Sequence, residues 1–298
     1  MRTAFIDQLI IEAENNPRIF LIVGDLGYSV VEPFAEKFPN RFLNAGVAEQ
    51  NMTGIAAGLA MEGFTVFTYS IGNFPTMRAM EQVRYDVCYH DLNVIMVTVG
   101  GGFAYGPLGA SHHATEDLAM LRVLPGLKVA APGDPWEARR ATTWLCQNGG
   151  PGYLRLGKAG EPSIHKDLAI FEEKPGAIQV LNGNDTVVLT TGSMLAPAYD
   201  WITNNKMPWG LASFPVIKPL DMNHLIELEE LYPNWITMEE HQKAGGFGSL
   251  ILESLNLLRN QNKITTLPKI DIKGIDDCFL SFSGSQTYLR KKAGIILP

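Results

Sequence analysis

Residues 41–58 read RFLNAGVAEQNMTGIAAG. A short apolar stretch around Phe42 and Leu43 gives way to a Gly/Ala-rich helical pattern that carries Glu49 in its first turn. Gly54, Ala56, Ala57 and Gly58 are small, so this helix is expected to pack closely against another backbone and bury its first turn. Taken alone, a first-turn acid merely complements the positive end of the helix dipole. Its meaning depends on the chain around it.

Upstream, residues 18–24 (RIFLIVG) form a continuous apolar run of the kind buried on both faces of a parallel sheet. Similar runs recur at 63–70, 92–99, 127–131 and 152–156, with helical patterns near 29–39, 49–61, 75–90 and 134–147. Alternation of this kind predicts a doubly wound α/β layer. The turn Pro132-Gly133-Asp134-Pro135 supplies a helix start, with Asp134 as N-cap and Pro135 at the first helical position. Residues 157–183 lose periodicity and gather glycine and proline, which predicts a linker. A second series follows, with strands near 186–191, 209–214, 235–240 and 265–273 and helices near 193–204, 221–231, 246–259 and 284–293. The expected fold is therefore two consecutive α/β domains, 1–156 and 184–298, each with a mostly parallel sheet covered by helices.

At 298 residues two domains are also the expectation from length alone. A net charge of −7 with no Lys/Arg run argues against nucleic acid or an anionic membrane as partner. Cys88, Cys146 and Cys278 are too widely spaced for a disulfide framework or zinc site and read as core residues in a reducing compartment. The N-terminal residues 1–16 look like an amphipathic helix rather than a signal peptide. The uncharged stretch 92–115 is broken by glycines and contains His112 and His113, so it fits a buried strand running into a loop better than a membrane span. A cytoplasmic location is expected.

Ligands of open α/β sheets bind at the carboxyl ends of the strands. Three loops there carry polar residues: 25–29, 46–49 and the long glycine-rich 100–113. None has a GxGxxG or GxxxxGK[ST] pattern, so neither a dinucleotide nor a P-loop reading is supported. Adjacent histidines cannot easily face one ion, and no metal site is expected. Phe74, in an Asn-Phe-Pro helix entry, is either a core aromatic or a flat face for a planar ligand.

The ordered segments GVAEQNMTGIAAGLAMEGFTVFTYS, NFPTMRAMEQVR and GPLGASHHATEDLAMLRVLPGLKVAAPGD resemble the pyrimidine-binding domain of the transketolase family of thiamine diphosphate enzymes. Residues 184–298, with EEHQKAGGFGSLI, resemble that family's C-terminal domain. The resemblance implies that Glu49 hydrogen-bonds the cofactor's aminopyrimidine and drives acid/base chemistry through it. Phe74 then stacks on the pyrimidine, with Ile71 at a neighbouring position of the stacking segment, and Asp25 supports cofactor binding. His112 matches the substrate-loop histidine. Ser29, Arg155 and Arg2 stand where the family binds a substrate phosphate.

The Gly-Asp-Gly and downstream Asn that hold diphosphate and metal in this family are missing from the chain. The resemblance therefore implies a separate N-terminal-half subunit carrying the diphosphate site with its magnesium or calcium ion, and an α2β2 assembly. Leu108 replaces the acid that usually precedes the loop histidine and contacts a sugar hydroxyl. A deoxy, branched, sulfonated or nucleotide-linked sugar is thus a better expectation than xylulose 5-phosphate. Two alternatives remain: the beta subunit of a 2-oxoacid dehydrogenase, and a catalytically silent scaffolding or regulatory homologue.

Overall fold

The computed structural model describes residues 1–165 and 176–298. The first layer runs α1 (Arg2–Asn15), β1 (Ile19–Val23), α2 (Glu32–Lys37), β2 (Phe42–Asn44), α3 (Glu49–Met61) and β3 (Thr65–Ile71). Phe74–Arg78 forms a π-helical turn, followed by α4 (Met80–Gln82) and a second π turn, Val83–Cys88. The layer is completed by β4 (Val94–Val99), α5 (Asp117–Arg122), β5 (Lys128–Ala130), α6 (Pro135–Gln147) and β6 (Gly152–Leu156). Asp134 caps α6 as expected, its side chain accepting from the Glu137 N–H at 2.9 Å.

The second layer comprises β7 (Ile178–Leu181), β8 (Thr186–Thr190), α7 (Leu195–Asn204), β9 (Gly210–Ser213), β10 (Val216–Lys218), α8 (Met222–Leu231), β11 (Asn234–Gln242), α9 (Phe247–Asn260), β12 (Lys269–Ile275) and α10 (Gln286–Lys292). The two sheets have orders β10-β5-β6-β4-β3-β1-β2 and β12-β11-β8-β9-β7. All pairings are parallel except β10 on β5 and β7 on β9, so the α/β expectation holds for both layers. Two features were not foreseen. β7 lies inside the expected linker, of which residues 166–175 fall outside the described residues, and β10 crosses from the second half of the chain to edge the first sheet.

The halves also share one apolar core. Val83, Met96, Leu118, Leu121 and Tyr153 pack in a single cluster with Val187, Leu189, Phe214 and Phe247. Such a contact makes the domains one packed body rather than beads on a tether. Cys278 departs from expectation: it is exposed, while Cys88 and Cys146 are partly buried. No helix among the described residues is long and apolar enough to cross a membrane.

Side chains alternate across the first sheet. Val66 of β3 faces α3 together with Ile22, Met52, Ala56, Ala57 and Ala60, whereas Phe67 and Tyr69 face α1. The small residues of α3 divide accordingly. Its alanines point inward, but Gly54 and Gly58 are exposed, and a Cβ on either would meet nothing within 4 Å. The close backbone approach expected of these glycines is not made within the chain.

Candidate active site

Glu49 opens α3 with its side chain 1% exposed. Its Oε2 accepts from Arg78 Nη1 at 2.7 Å, and Ser70 Oγ stands 3.5 Å from its Oε1. Ser70 ends up there because it lies on the α3 face of β3, one residue on from core-facing Tyr69. Arg78 sits four residues after Phe74, and its Cζ lies 5.0 Å from the centre of the Phe74 ring. The Arg78 side chain is 49% exposed, so this cation closes the mouth of the site rather than its floor. Phe74 also meets His112 edge-on, with ring centroids 5.5 Å apart. Ser111 Oγ lies 3.0 Å from His112 Nδ1.

Behind Glu49, Asn44 braces the loop into α3. Its Oδ1 accepts from the N–H groups of Asp25 (3.1 Å) and Gly46 (2.9 Å), and its Nδ2 donates to Asp25 Oδ1 at 2.9 Å. Asp25 takes a left-handed conformation, φ 56°, at the end of β1. Asp25 therefore reaches the site by bracing the turn before Glu49. Ser29 is exposed on the same rim, with φ 62° and its N–H donating to Glu32 Oε1 at 2.8 Å. That bond lowers the Glu32 carboxyl below its ordinary pKa.

The structure thus links Glu49, Phe74 and His112 in a chain of contacts through Arg78, with Leu108, 57% exposed, on the same loop as His112. Three other residues lie elsewhere. Ile71 packs into the core on the α1 side of the sheet. Arg2 lies partly buried beside Tyr69 and Tyr105; burial raises both phenol pKa values and the Arg2 charge opposes the rise. Arg155, expected at a substrate anion, is 4% exposed and already engaged. Its Nε donates to Asp117 Oδ2 at 2.7 Å, and its Nη2 donates to the carbonyls of Ala114 (2.6 Å) and Glu240 (3.0 Å). Burial works against the charge, but Asp117, with Tyr153 and Glu240, outweighs it and raises the Arg155 pKa. Arg155 is a strut between the two halves of the chain.

Residues 1–160 match the family model for the transketolase pyrimidine binding domain, and residues 176–272 match that for the transketolase C-terminal domain. The chain belongs to the transketolase family. It is 34% identical over 259 residues to a subunit of an apulose-4-phosphate transketolase from Phocaeicola vulgatus, covering 86% of this chain and 83% of that protein. It is 31% identical over 300 residues to a 6-deoxy-6-sulfo-D-fructose transketolase subunit from Clostridium sp., covering 99% and 90%. A solved structure described as a split gene transketolase, inactive beta4 tetramer, superposes with a TM-score of 0.85 at 31% identity, covering 99% of this chain and 93% of that one.

Membership implies transferase chemistry with thiamine diphosphate. The residues of this transketolase chain fit the pyrimidine half of that cofactor. A buried carboxylate and a partly buried aromatic ring are joined by one half-exposed arginine, and such a pair suits a planar base bearing hydrogen-bond donors. Among the described residues, no group of three or more His, Cys, Asp or Glu side chains could hold a metal ion.

Four site residues escaped the sequence reading: Ser70, Asn44, Asn73 and Arg78. Asn73 Nδ2 donates to the carbonyls of His113 (2.5 Å) and Ser111 (3.3 Å), pinning the histidine loop beside Phe74. A signal for Arg78 was present. It follows Phe74 by four residues in NFPTMR, and a helical continuation places such a pair on one face.

Proposed function

We propose that this chain is one subunit of a transketolase that moves a two-carbon ketol unit from a ketose to an aldehyde. A separate diphosphate-binding subunit completes the enzyme as an α2β2 assembly. The observation that carries this reading is the buried Glu49 carboxylate joined to the Phe74 ring by Arg78, whose side chain is half-exposed. Bound thiamine diphosphate supplies the carbon nucleophile that cleaves and forms the carbon–carbon bond. Glu49, its side chain buried at the start of α3, receives the pyrimidine edge and exchanges a proton with it. Phe74 presents its ring to the pyrimidine. Arg78 occupies the same oxygen of Glu49 and the same ring face, so it must swing outward, which its half-exposed side chain permits. His112 lies at the substrate side of Phe74 and hydrogen-bonds a donor oxygen.

The diphosphate and its magnesium or calcium ion are assigned to the partner subunit. The outward face of α3, with Gly54, Gly58 and Met61 exposed along the helix that Glu49 opens, supports a second chain docking there. The relatives named for apulose 4-phosphate and 6-deoxy-6-sulfo-D-fructose favour an anionic, branched or modified sugar as donor. Exposed Leu108 in place of an acidic sugar contact points the same way.

Isothermal titration of thiamine diphosphate and magnesium tests the reading, first with this chain alone and then with the diphosphate-binding subunit added. Binding only in the mixture is expected. Tight binding to the chain alone would refute the two-subunit site, and absence of binding in both would refute the cofactor assignment.

A further inference from the structure

The loop that carries His112 is held from the other half of the molecule. Its stem closes through Gly102 N–H to Ala114 O at 2.8 Å and Ala114 N–H to Gly102 O at 3.0 Å, making residues 102–114 a compact Ω-type loop. Phe103 then leaves its own domain. Its ring is 1% exposed and packs in a cluster with Val188, Met194, Leu195, Leu211 and Met238 of the second layer. Its backbone N–H donates to Glu240 Oε2 at 3.0 Å.

Glu240, at the carboxyl end of β11, is buried and gathers the whole arrangement. Ser193 Oγ donates to its Oε2 at 3.1 Å, Gln286 Nε2 reaches both oxygens at 3.1 and 2.9 Å, and Arg290 Nε forms an ion pair with Oε1. The fit leaves no slack. Gly102 has φ 63°, and a Cβ there would run into the Glu240 side chain. A Cβ on Gly106 would fall 2.5 Å from Leu289 and 2.6 Å from the Gly284 carbonyl, whose residue also donates its N–H to Gly106 O at 3.2 Å. The glycines of this loop therefore admit the C-terminal domain, not only a ligand. From Phe103 the contact continues to His113, ring centroids 5.2 Å apart, and so to His112 and Phe74.

We propose that the C-terminal domain serves this site by holding the histidine loop, and that Glu240 is the positioning residue that fixes Phe103 and thereby His112. That the loop meets substrate rests on the transketolase reading; that Glu240 fixes it does not. A buried carboxylate with four side-chain and backbone donors is costly to rearrange, so the loop is set before any ligand arrives.

The test uses the full chain without cofactor, comparing wild type, Glu240→Gln, Gln286→Ala and Arg122→Gln by amide hydrogen exchange. Arg122 ties α5 to Glu253 and the Gly245 carbonyl, bridging the same two layers without touching the loop. Residues 100–115 are expected to exchange at least about tenfold faster in Glu240→Gln, less so in Gln286→Ala, and unchanged in Arg122→Gln. The titration of His113 gives a second, independent sign. Burial lowers its pKa, while the Gly106 carbonyl, Glu116 and Glu240 raise it and His112 lowers it.

Loss of the Glu240 charge alone would lower the His113 pKa further, whereas release of the loop into water would raise it toward the ordinary value. A rise supports positioning. Unchanged loop exchange in Glu240→Gln, or a further fall of the His113 pKa there, overturns it; should Glu240→Gln fail to fold, Gln286→Ala decides, with unchanged loop exchange overturning the proposal. Either result leaves the thiamine diphosphate titration free to succeed or fail on its own.

Discussion

The two walls of the site are built by different means. The Glu49 wall is local: α3, the end of β3 and the turn after it lie within residues 44–78 and belong to one α/β layer. The His112 wall is long-range, its loop fixed by Glu240, Gly284 and Leu289 from more than 130 residues further along the chain. A local wall preserves chemistry with a few residues, whereas a wall clamped by another domain can be reshaped by changes far from it. That division suits an enzyme family with one cofactor and many sugars.

The largest expected effect lies on the local wall. Glu49→Gln, assembled with the partner subunit, should lose at least about 1,000-fold in turnover, about 4 kcal/mol of barrier, since general acid–base groups contribute on this scale. Melting close to wild type would show that the fold is intact. Turnover within tenfold of wild type would break the comparison, because the local wall would then not be the chemical one.

Next comes the strut between the two halves of the chain. Asp117 is buried, and its Oδ2 accepts from Arg155 Nε at 2.7 Å and Tyr153 OH at 2.5 Å. Asp117→Asn leaves a buried guanidinium uncompensated, for which about 3 kcal/mol of lost stability is expected in urea denaturation. A loss below about 1 kcal/mol would mean that the Ala114 and Glu240 carbonyls suffice to hold Arg155.

The same division decided what could be read from the sequence. Strand and helix order was legible because apolar runs and the Asp134-Pro135 start report local conformation. Glu49, Phe74 and His112 stood out because short motifs carry them. Arg155 looked like a free anion-binding arginine, since nothing in YLRLG shows that Asp117, 38 residues earlier, neutralises it. The face of Ile71 depends on which strand residue points to α1, and a one-residue difference reverses it. Nor could Gly102 and Gly106 reveal that β11 and α10 approach them, so their glycines suggested a ligand where the neighbour is protein. Crossing of β10 to the first sheet was hidden for the same reason, because a three-residue strand has no periodicity to announce its partner.

A pH-dependent effect concerns the residue beside the clamp. Glu239 is buried at the amino end of α9, its oxygens accepting from Phe247 N–H (2.5 Å) and Gly248 N–H (2.8 Å). Burial outweighs these donors and pushes its pKa up to about 8 from an ordinary 4.5. Between those values the folded state keeps a proton that the unfolded chain has released, so stability falls as pH rises and levels off above about 8. One such group contributes a slope approaching about 1.4 kcal/mol per pH unit within that window. Glu239→Gln, which mimics the protonated form, should flatten this part of the stability profile; an identical slope in the variant would show that Glu239 is ionised throughout.

The subtlest expected change is at the tip of the clamped loop. Leu108 is 57% exposed at the end of a single 3-10 turn, and Gly109, with φ 79°, breaks the chain before Ala110–His112. No core contact would be lost on replacing it, so Leu108→Asp should leave stability unchanged and act only on what approaches His112. A carboxylate there adds a hydrogen-bond acceptor for a sugar hydroxyl and a negative charge that opposes an anionic donor. We expect preference to shift by about fivefold, about 1 kcal/mol, toward donors with a free hydroxyl at that position, measured as the ratio of kcat/KM values between two ketose phosphates. If the ratio stays constant while Glu49→Gln remains inactive, donor choice is set on the partner subunit, and the clamped wall positions His112 without selecting the sugar.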